Sequence, residues 1–125
     1  MSPWRDRAAR DRAEREGRRA ETWAAWYLRL KGWRVLARRV QTHRGEIDIV
    51  VRRGRTLCFV EVKWRRNRAD LDRAIDAYRL RRVAAAAELV SSRYAKPGDS
   101  VRIDVLLLSP GCWPRVIPNA WMPGL

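Results

Sequence analysis

The sequence predicts a single α/β domain, with a mixed central sheet of about four or five strands flanked by two long helices. The chain has 125 residues, which is the size of one domain and too short for two large ones. Apolar residues make up 46% of it, enough for a hydrophobic core and too many for a disordered chain. Segments with helical spacing of apolar residues precede and follow a group of short, strand-like segments, and this order is typical of a sheet flanked by helices.

The first long helix is predicted over residues 6–31. This segment contains no Pro, and its apolar residues recur at i, i+3, i+4, i+7 and i+8, as on an amphipathic helix. These residues are Ala20, Trp23, Ala24, Tyr27 and Leu28. Gly32 is expected to end the helix, and residues 1–16 are interpreted as its basic N-terminal extension. We expect three tryptophans of this region in the core: Trp23, Trp26 and Trp33.

Three strands are predicted in the middle of the chain. Residues 33–40 form a short one, and residues 46–52 alternate in the manner of a half-buried strand. Arg53-Gly54 indicates a tight turn. Residues 56–64 are more continuously apolar, so this strand is expected at the centre of the sheet.

A second long helix is predicted from about residue 69 to residue 94, where apolar residues recur at near-helical intervals. Lys96-Pro97-Gly98-Asp99 ends it. The apolar strand at 101–108 is expected to run parallel to the strand before the helix, because a helical crossover joins the two. Residues 109–125 include Trp113-Pro114 and Ile117-Pro118, so we expect an edge strand or a packed tail there.

The charge of the chain favours a nucleic-acid partner. Basic side chains outnumber acidic ones by 28 to 14, a net charge of +14, and residues 1–45 hold 13 basic and five acidic side chains, an excess of +8. Such an excess attracts polyanions, nucleic acid before others. The alternative is an arginine-favouring genome, since 25 of the 28 basic residues are Arg. We prefer nucleic-acid contact because acidic residues are not raised in parallel.

The expected location is the cytoplasm, without membrane contact. No apolar run approaches the roughly 20 residues that cross a bilayer, and residues 1–16 lack the apolar segment of an export signal. A reducing compartment would keep Cys58 and Cys112 as thiols. Neither cysteine shares with His43 the spacing of a zinc site.

Four charged residues on two adjacent strands could form a reactive site. Glu61 and Lys63 stand two residues apart on one strand and therefore share a face. The preceding strand carries Glu46 and Asp48. A two-residue turn, either Arg53-Gly54 or Gly54-Arg55, places all four on one face, whereas a three-residue loop moves Glu46 and Asp48 to the other.

Carboxylates brought this close would repel one another unless a cation lay between them. Their hard oxygens suit Mg²⁺ or Mn²⁺, which could polarise a phosphodiester and activate water. Lys63 could then stabilise the developing charge. The alternative is an exposed, ion-paired face of an ordinary strand. The apolar neighbours Leu57, Phe59 and Val60 favour a central strand, where charged side chains are seldom buried unpaired.

Five sequence motifs occur in a fixed order over about residues 14–108. They are Gly17-x-x-Ala20-Glu21, Ala24/Ala25-x-Tyr27-Leu28, Gly45-Glu46-Ile47-Asp48, Phe59-Val60-Glu61-Val62-Lys63-x-Arg65 and Arg102-Ile103-Asp104-Val105. Together they resemble the YraN-like family of uncharacterised bacterial proteins, which has a restriction-endonuclease-like fold. The resemblance implies the PD-(D/E)XK nuclease superfamily, in which acidic residues and a lysine surround a divalent metal beside DNA.

On this chain the resemblance assigns the catalytic roles to Glu21, Asp48, Glu61 and Lys63. Asp48 and Glu61 would hold the metal, and Glu46 is an outer or second-metal ligand. Two positions depart from the family, since Arg39 and Arg79 stand where Asn and Lys are expected. The family's members are named for similarity, so membership alone does not establish an activity.

Several basic and aromatic residues are expected to contact nucleic acid. Arg65, Arg66 and Arg68 are suited to phosphates, and Trp64 to stacking on a base. Three further arginines complete this set: Arg39, Arg44 and Arg79. Asp104 is interpreted as a residue that fixes its strand by a hydrogen bond.

The functional hypothesis is a Mg²⁺- or Mn²⁺-dependent endonuclease that hydrolyses DNA. Branched or otherwise structured DNA is expected by analogy of fold, and a homodimer would bring two sites to two strands. The first alternative is a nucleic-acid-binding module of the same fold without turnover. A second is an assembly partner that binds an acidic protein through its arginines.

Overall fold

The computed structural model describes residues 3–67 and 77–120, with the backbone alone at residues 3–16 and 77–79. Two helices and five strands follow one another along the chain. Their bounds are α1 Pro3–Leu30, β1 Arg34–Thr42, β2 Gly45–Arg53, β3 Thr56–Trp64, α2 Ala77–Tyr94, β4 Ser100–Leu108 and β5 Arg115–Ile117. The predicted α/β class is confirmed.

The strands form one mixed sheet in the order β1-β2-β3-β4-β5. The β1–β2, β2–β3 and β4–β5 pairs are antiparallel, and β3 pairs in parallel with β4. The predicted helical crossover between parallel strands is thus confirmed. Arg53 pairs with Thr56, so the β2–β3 turn is the two-residue Gly54-Arg55, with Gly54 at a φ of 60°.

Each face of the sheet carries a hydrophobic core under one helix. On the α2 face, Val50, Leu57 and Phe59 pack against Val83 and its neighbours on the helix. On the α1 face the opposite side chains of the same strands pack beneath the first helix: Ile49, Val51, Cys58 and Val60. Strand β3 is buried on both faces, as its continuous apolar run predicts.

Helix α1 ends at Leu30, and Gly32 caps it, as predicted. The Gly32 N–H donates to the Arg29 carbonyl at 3.0 Å and the Trp33 N–H donates to the Leu28 carbonyl at 2.9 Å. Gly32 has a φ of 89°, and this pair of bonds with a left-handed residue is a Schellman cap. Trp33 and Leu28 are both buried in the α1 core, which anchors the end of the helix to the sheet.

The expectation that three tryptophans lie in the core holds for Trp33 alone. Trp23 and Trp26 are 72% and 59% exposed. Helix α1 faces the sheet with small residues instead, namely Ala20, Ala24 and Ala25, followed by Leu28. The short side chains let the helix approach the strands closely, and the two indoles point outwards.

The two ends of the predicted domain are described in part. Helix α1 runs through the extension as far as Pro3. In the tail, β5 is the edge strand, while residues 121–125 lie outside the described residues. Neither helix is long and apolar enough over its described residues to cross a membrane.

Candidate functional site

Strands β2 and β3 part at Asp48, and this separation forms the candidate site. Their pairing runs from Arg53 and Thr56 to Ile49 and Val60. Beyond it, the Val62 N–H donates to Asp48 Oδ2 at 2.8 Å. A side-chain oxygen therefore replaces the backbone carbonyl that a continuous ladder would offer to Val62.

The separation also changes the arrangement expected for the four charged residues. The two-residue turn is present, but the alternation of β2 breaks at Asp48, since Ile47 packs in the α2 core with Val50 whereas Ile49 packs in the α1 core. The simple picture of four side chains on one regular face is therefore wrong. The carboxylates meet where the two strands diverge.

Three carboxylates converge at this point from two elements. One oxygen each of Glu21, Glu46 and Asp48 lies within 4.8 Å of the other two. Glu21 comes from the buried stripe of α1, and the other two come from β2. Glu21 and Asp48 are partly buried, whereas Glu46 is exposed. These hard oxygen donors, with one side open to solvent, fit a divalent cation such as Mg²⁺ or Mn²⁺.

Glu61 and Lys63 form a buried ion pair beside this cluster. Lys63 Nζ lies 2.8 Å from Glu61 Oε1, and the two residues are only 4% and 8% exposed. They share the side of β3 that carries Leu57 and Phe59. Burying two charges costs free energy that an apolar pair would avoid, so this pair favours a functional role over the ordinary ion-paired face.

The environment of Asp48 favours its protonated form. Burial, the negative charge of Glu61 and then that of Glu21 raise the pKa of Asp48 to about 8, against the lowering effect of the Val62 hydrogen bond. Active sites commonly contain a carboxyl group whose pKa is raised toward neutral pH by neighbouring carboxylates. A divalent cation would replace the proton and relieve the same repulsion.

Arg39 supplies positive charge to the cluster. Its Nε donates to Glu21 Oε2 at 2.6 Å. This hydrogen bond, followed by the charges of Glu21, Glu46 and Asp48, raises the pKa of Arg39. The Arg39 guanidinium, expected from the sequence to contact nucleic acid, is thus engaged with a carboxylate. Sequence reasoning missed this partner because 18 positions separate the two residues and no local pattern links them.

The remaining predicted contact residues lie on two parts of the surface. Arg65 and Arg66 follow β3 directly, and the Arg65 guanidinium donates to the Trp64 carbonyl at 2.7 Å. Arg44 lies in the β1–β2 turn, beside a shallow basic depression shared with Arg81 and Arg82. Arg68 lies outside the described residues, and the side chain of Arg79 lies outside them too.

Asp104 and the cysteines take no part in the acidic cluster. Asp104 accepts the Asn119 N–H at 2.9 Å and the Arg102 guanidinium at 3.2 Å, which fixes the chain after β5 against β4, as predicted for a strand-fixing residue. Cys58 and Cys112 are both free thiols. Burial in the α1 core raises the pKa of the Cys58 thiol, so it is unreactive.

Comparisons with a family model and with known proteins give the same family. The sequence model of the uncharacterised protein family UPF0102 matches residues 20–108. The UPF0102 protein of Erythrobacter litoralis is 61% identical over 111 residues, which cover 89% of this chain and 96% of that protein. The UPF0102 protein of Sphingopyxis alaskensis is 59% identical with the same coverage, and that of Rhizorhabdus wittichii is 57% identical over 87% of this chain and 92% of its own. The chain therefore belongs to the UPF0102 family, the YraN family that its ordered motifs resemble.

Proposed function

We propose that this protein is a metal-dependent nuclease that hydrolyses phosphodiester bonds of DNA. One observation carries the proposal: the Glu21, Glu46 and Asp48 oxygens converge within 4.8 Å next to the buried Glu61–Lys63 pair. A purely structural role does not explain this cluster of negative charge, because like charges so close together destabilise a fold. The match to the PD-(D/E)XK pattern, seen first in the sequence, supports the same function.

The residues divide into those that would hold a cation and those that would act on the substrate. Asp48 and Glu61, supported by Glu21, would hold Mg²⁺ or Mn²⁺, and Glu46 is an additional outer ligand. The ion supplies polarisation of the phosphodiester and activation of water. Lys63 contributes a compact positive charge with three donors, one of which is held by Glu61, and it would stabilise the charge that develops on the phosphate.

The charge of the molecule supports DNA as the substrate. A net charge of +14 gives sequence-independent attraction to phosphates. Arg65 and Arg66 extend this positive surface from the end of β3, directly after Lys63. Phosphate contacts of this kind position a duplex without reading its sequence, so the proposal includes no sequence preference.

The test is metal-dependent cleavage by the wild type and matched lysine variants. Supercoiled, single-stranded and four-way-junction DNA are incubated with Mg²⁺, Mn²⁺ or EDTA. Lys63→Gln is preferred to Lys63→Ala, because the amide can still donate to Glu61 and leaves no unpaired buried carboxylate. Lys96→Gln is the control, since Lys96 is an exposed lysine in the loop after α2. Both proteins pass through the same purification, which controls for contaminating nuclease.

The nuclease proposal expects cleavage by the wild type and by Lys96→Gln with either metal, none with EDTA, and a loss of at least about 100-fold in Lys63→Gln. Equal cleavage by all three proteins would contradict it. DNA binding without cleavage on every substrate and with every metal would instead support the nucleic-acid-binding module without turnover.

A further inference from the structure

An apolar groove runs along the outer flank of α1, on the side of the helix away from Glu21. Its volume is about 630 Å³. One wall is the outward face of α1, the opposite wall is the segment that follows β4, and Trp64 at the end of β3 lies between them. A backbone hydrogen bond joins the ends of β3 and β4 beneath the groove, since the Arg65 N–H donates to the Leu108 carbonyl at 3.1 Å.

The groove is lined with indole rings that the fold leaves open to solvent. Trp113, Trp23 and Trp26 are 89%, 72% and 59% exposed, and Trp64 is half-buried. The core of the domain does not use these rings, although a folded protein normally buries such side chains. A cluster of exposed aromatic residues marks a binding surface.

Positive charges lie at the α1 wall of the groove, and no carboxylate is among the described residues that line the groove. Arg19 lines it directly. The Arg29 guanidinium lies 5.3 Å from the centre of the Trp26 ring, and Lys31 Nζ lies 5.6 Å from the centre of the Tyr27 ring. The occupant that complements this surface is therefore flat, aromatic and negatively charged. Unpaired nucleotides have these properties, because a base can stack on an indole while its phosphate meets a cation.

The groove and the candidate site are adjacent along β3 but lie on its two sides. Trp64, which lines the groove, directly follows Lys63, and the Arg65 guanidinium is held at the Trp64 carbonyl. Trp64 packs with the α1 core, whereas Lys63 lies on the opposite side of the strand. The groove therefore begins one residue from the proposed catalytic lysine, on the other side of β3.

We propose that this groove binds a single-stranded segment of DNA, by stacking unpaired bases on Trp113, Trp23 and Trp26. The inference rests on the proposed function for the identity of the polymer, and it extends that function by naming the substrate class. The substrate would be DNA that has an unpaired stretch beside the point of cleavage, rather than a continuous duplex.

The test is a binding measurement without divalent metal, so that hydrolysis cannot contribute. Fluorescence anisotropy of a labelled 15-nucleotide oligo-dT and of a 15-base-pair duplex is measured in EDTA at one fixed salt concentration. The variants are Trp113→Ala, Trp23→Ala and Trp113→Phe. Leu89→Ala is the control, because Leu89 is an exposed apolar residue of α2 and is not among the groove residues. Far-UV circular dichroism and thermal melting verify the fold of each variant.

Each Trp→Ala variant is expected to bind oligo-dT about tenfold more weakly, with less than about a twofold change for the duplex. Trp113→Phe should keep most of the affinity, and Leu89→Ala should bind like the wild type. Unchanged oligo-dT affinity in both Trp→Ala variants would overturn the proposal. An equal loss for both DNAs would overturn it too, because the indole rings would then contribute to DNA binding without selecting unpaired bases.

The outcome is separable from that of the nuclease proposal. Selective loss of oligo-dT binding in the Trp variants, with no cleavage by the wild type in any metal, would support the groove and reject the nuclease. Metal-dependent cleavage by the wild type, with oligo-dT affinity unchanged in the Trp variants, would support the nuclease and reject the groove.

Discussion

Asp48 lies where the β2–β3 ladder stops, and its carboxyl group has two roles there. Oδ2 accepts the Val62 N–H at 2.8 Å, which is a structural role that a neutral side chain could also fill. Its negative charge serves no such purpose, because Glu61 and Glu21 stand close to it and raise its pKa to about 8. The charged form therefore costs the metal-free protein stability.

Asp48→Asn should stabilise the metal-free protein in a pH-dependent way. The unfolded chain releases the Asp48 proton near pH 4, whereas the folded protein holds it up to about pH 8. As pH rises between these values the folded wild type must bind a proton that the unfolded chain has lost, so its stability falls relative to the variant. The difference should be small at pH 4 and grow to about 5 kcal/mol by pH 9, because each pKa unit between about 4 and about 8 is equivalent to about 1.4 kcal/mol.

Urea unfolding in EDTA at pH 4, 6, 8 and 9 measures this difference. Glu88→Gln is the control, because Glu88 is exposed on α2 and its substitution should leave the pH profile unchanged. Parallel profiles for the wild type and Asp48→Asn would show that the Asp48 proton does not contribute to stability.

Arg39 has an unfavourable backbone conformation beside the acidic cluster. It has a φ of 52°, a left-handed conformation that Asn adopts more readily than Arg. The resemblance drawn from the sequence places Asn at this position, and the backbone gives a physical reason for it. Arg39 keeps the strained conformation and adds an ion pair with Glu21, which partly neutralises the acidic cluster.

At the scale of elements, the β1–β2 turn, which leads into Glu46, approaches the backbone of α2 closely. Gly45 opens β2, and a Cβ atom there would lie 3.1 Å from the Arg82 carbonyl oxygen. That oxygen belongs to the helix backbone and cannot rotate away. A larger residue at this position must displace the turn that leads directly into Glu46.

Gly45→Ala and Gly17→Ala should therefore change stability in opposite directions. Gly45→Ala is expected to lower the free energy of unfolding by about 1 kcal/mol, because the turn and α2 must separate. Gly17 is exposed, with nothing within 4 Å of an added Cβ, so Gly17→Ala should raise it by about 0.5–1 kcal/mol. Urea unfolding of both variants at pH 7 measures the two free energies of unfolding. A change in the same direction in both variants would contradict the close approach of turn and helix.

Elements with a strong local signal could be predicted from the sequence, and contacts between distant segments could not. Strand β3 begins and ends as its apolar run predicts, and the parallel β4 follows from the rule for helical crossovers. The indoles of α1 were misplaced because periodicity identifies an apolar stripe without showing which of its residues touch the sheet. The break at Asp48 was missed for a similar reason, since the alternation rule assumes a regular strand.

At the scale of the whole molecule, a strongly basic protein gathers four of its 14 acidic residues at one place. Those residues are Glu21, Glu46, Asp48 and Glu61. The overall charge of +14 attracts the phosphate backbone, whereas the acidic cluster repels the phosphate that comes nearest to it. A divalent cation reverses that local repulsion, so DNA binding and metal binding should strengthen each other.

This coupling is measurable as a change in DNA affinity caused by Mg²⁺. Anisotropy of a 20-base-pair duplex is recorded at constant ionic strength in EDTA and in Mg²⁺, with Lys63→Gln as the background so that hydrolysis is suppressed. Mg²⁺ should tighten binding by about fivefold or more, equivalent to about 1 kcal/mol.

Adding Glu46→Gln should tighten binding in EDTA, because an exposed negative charge is removed, and should reduce the gain from Mg²⁺. Adding Glu88→Gln removes an equal charge from the surface of α2 and should leave the gain unchanged. An equal gain in all three proteins would show that Mg²⁺ acts away from the cluster. The prediction that metal bound by the four carboxylates strengthens DNA binding would then be contradicted.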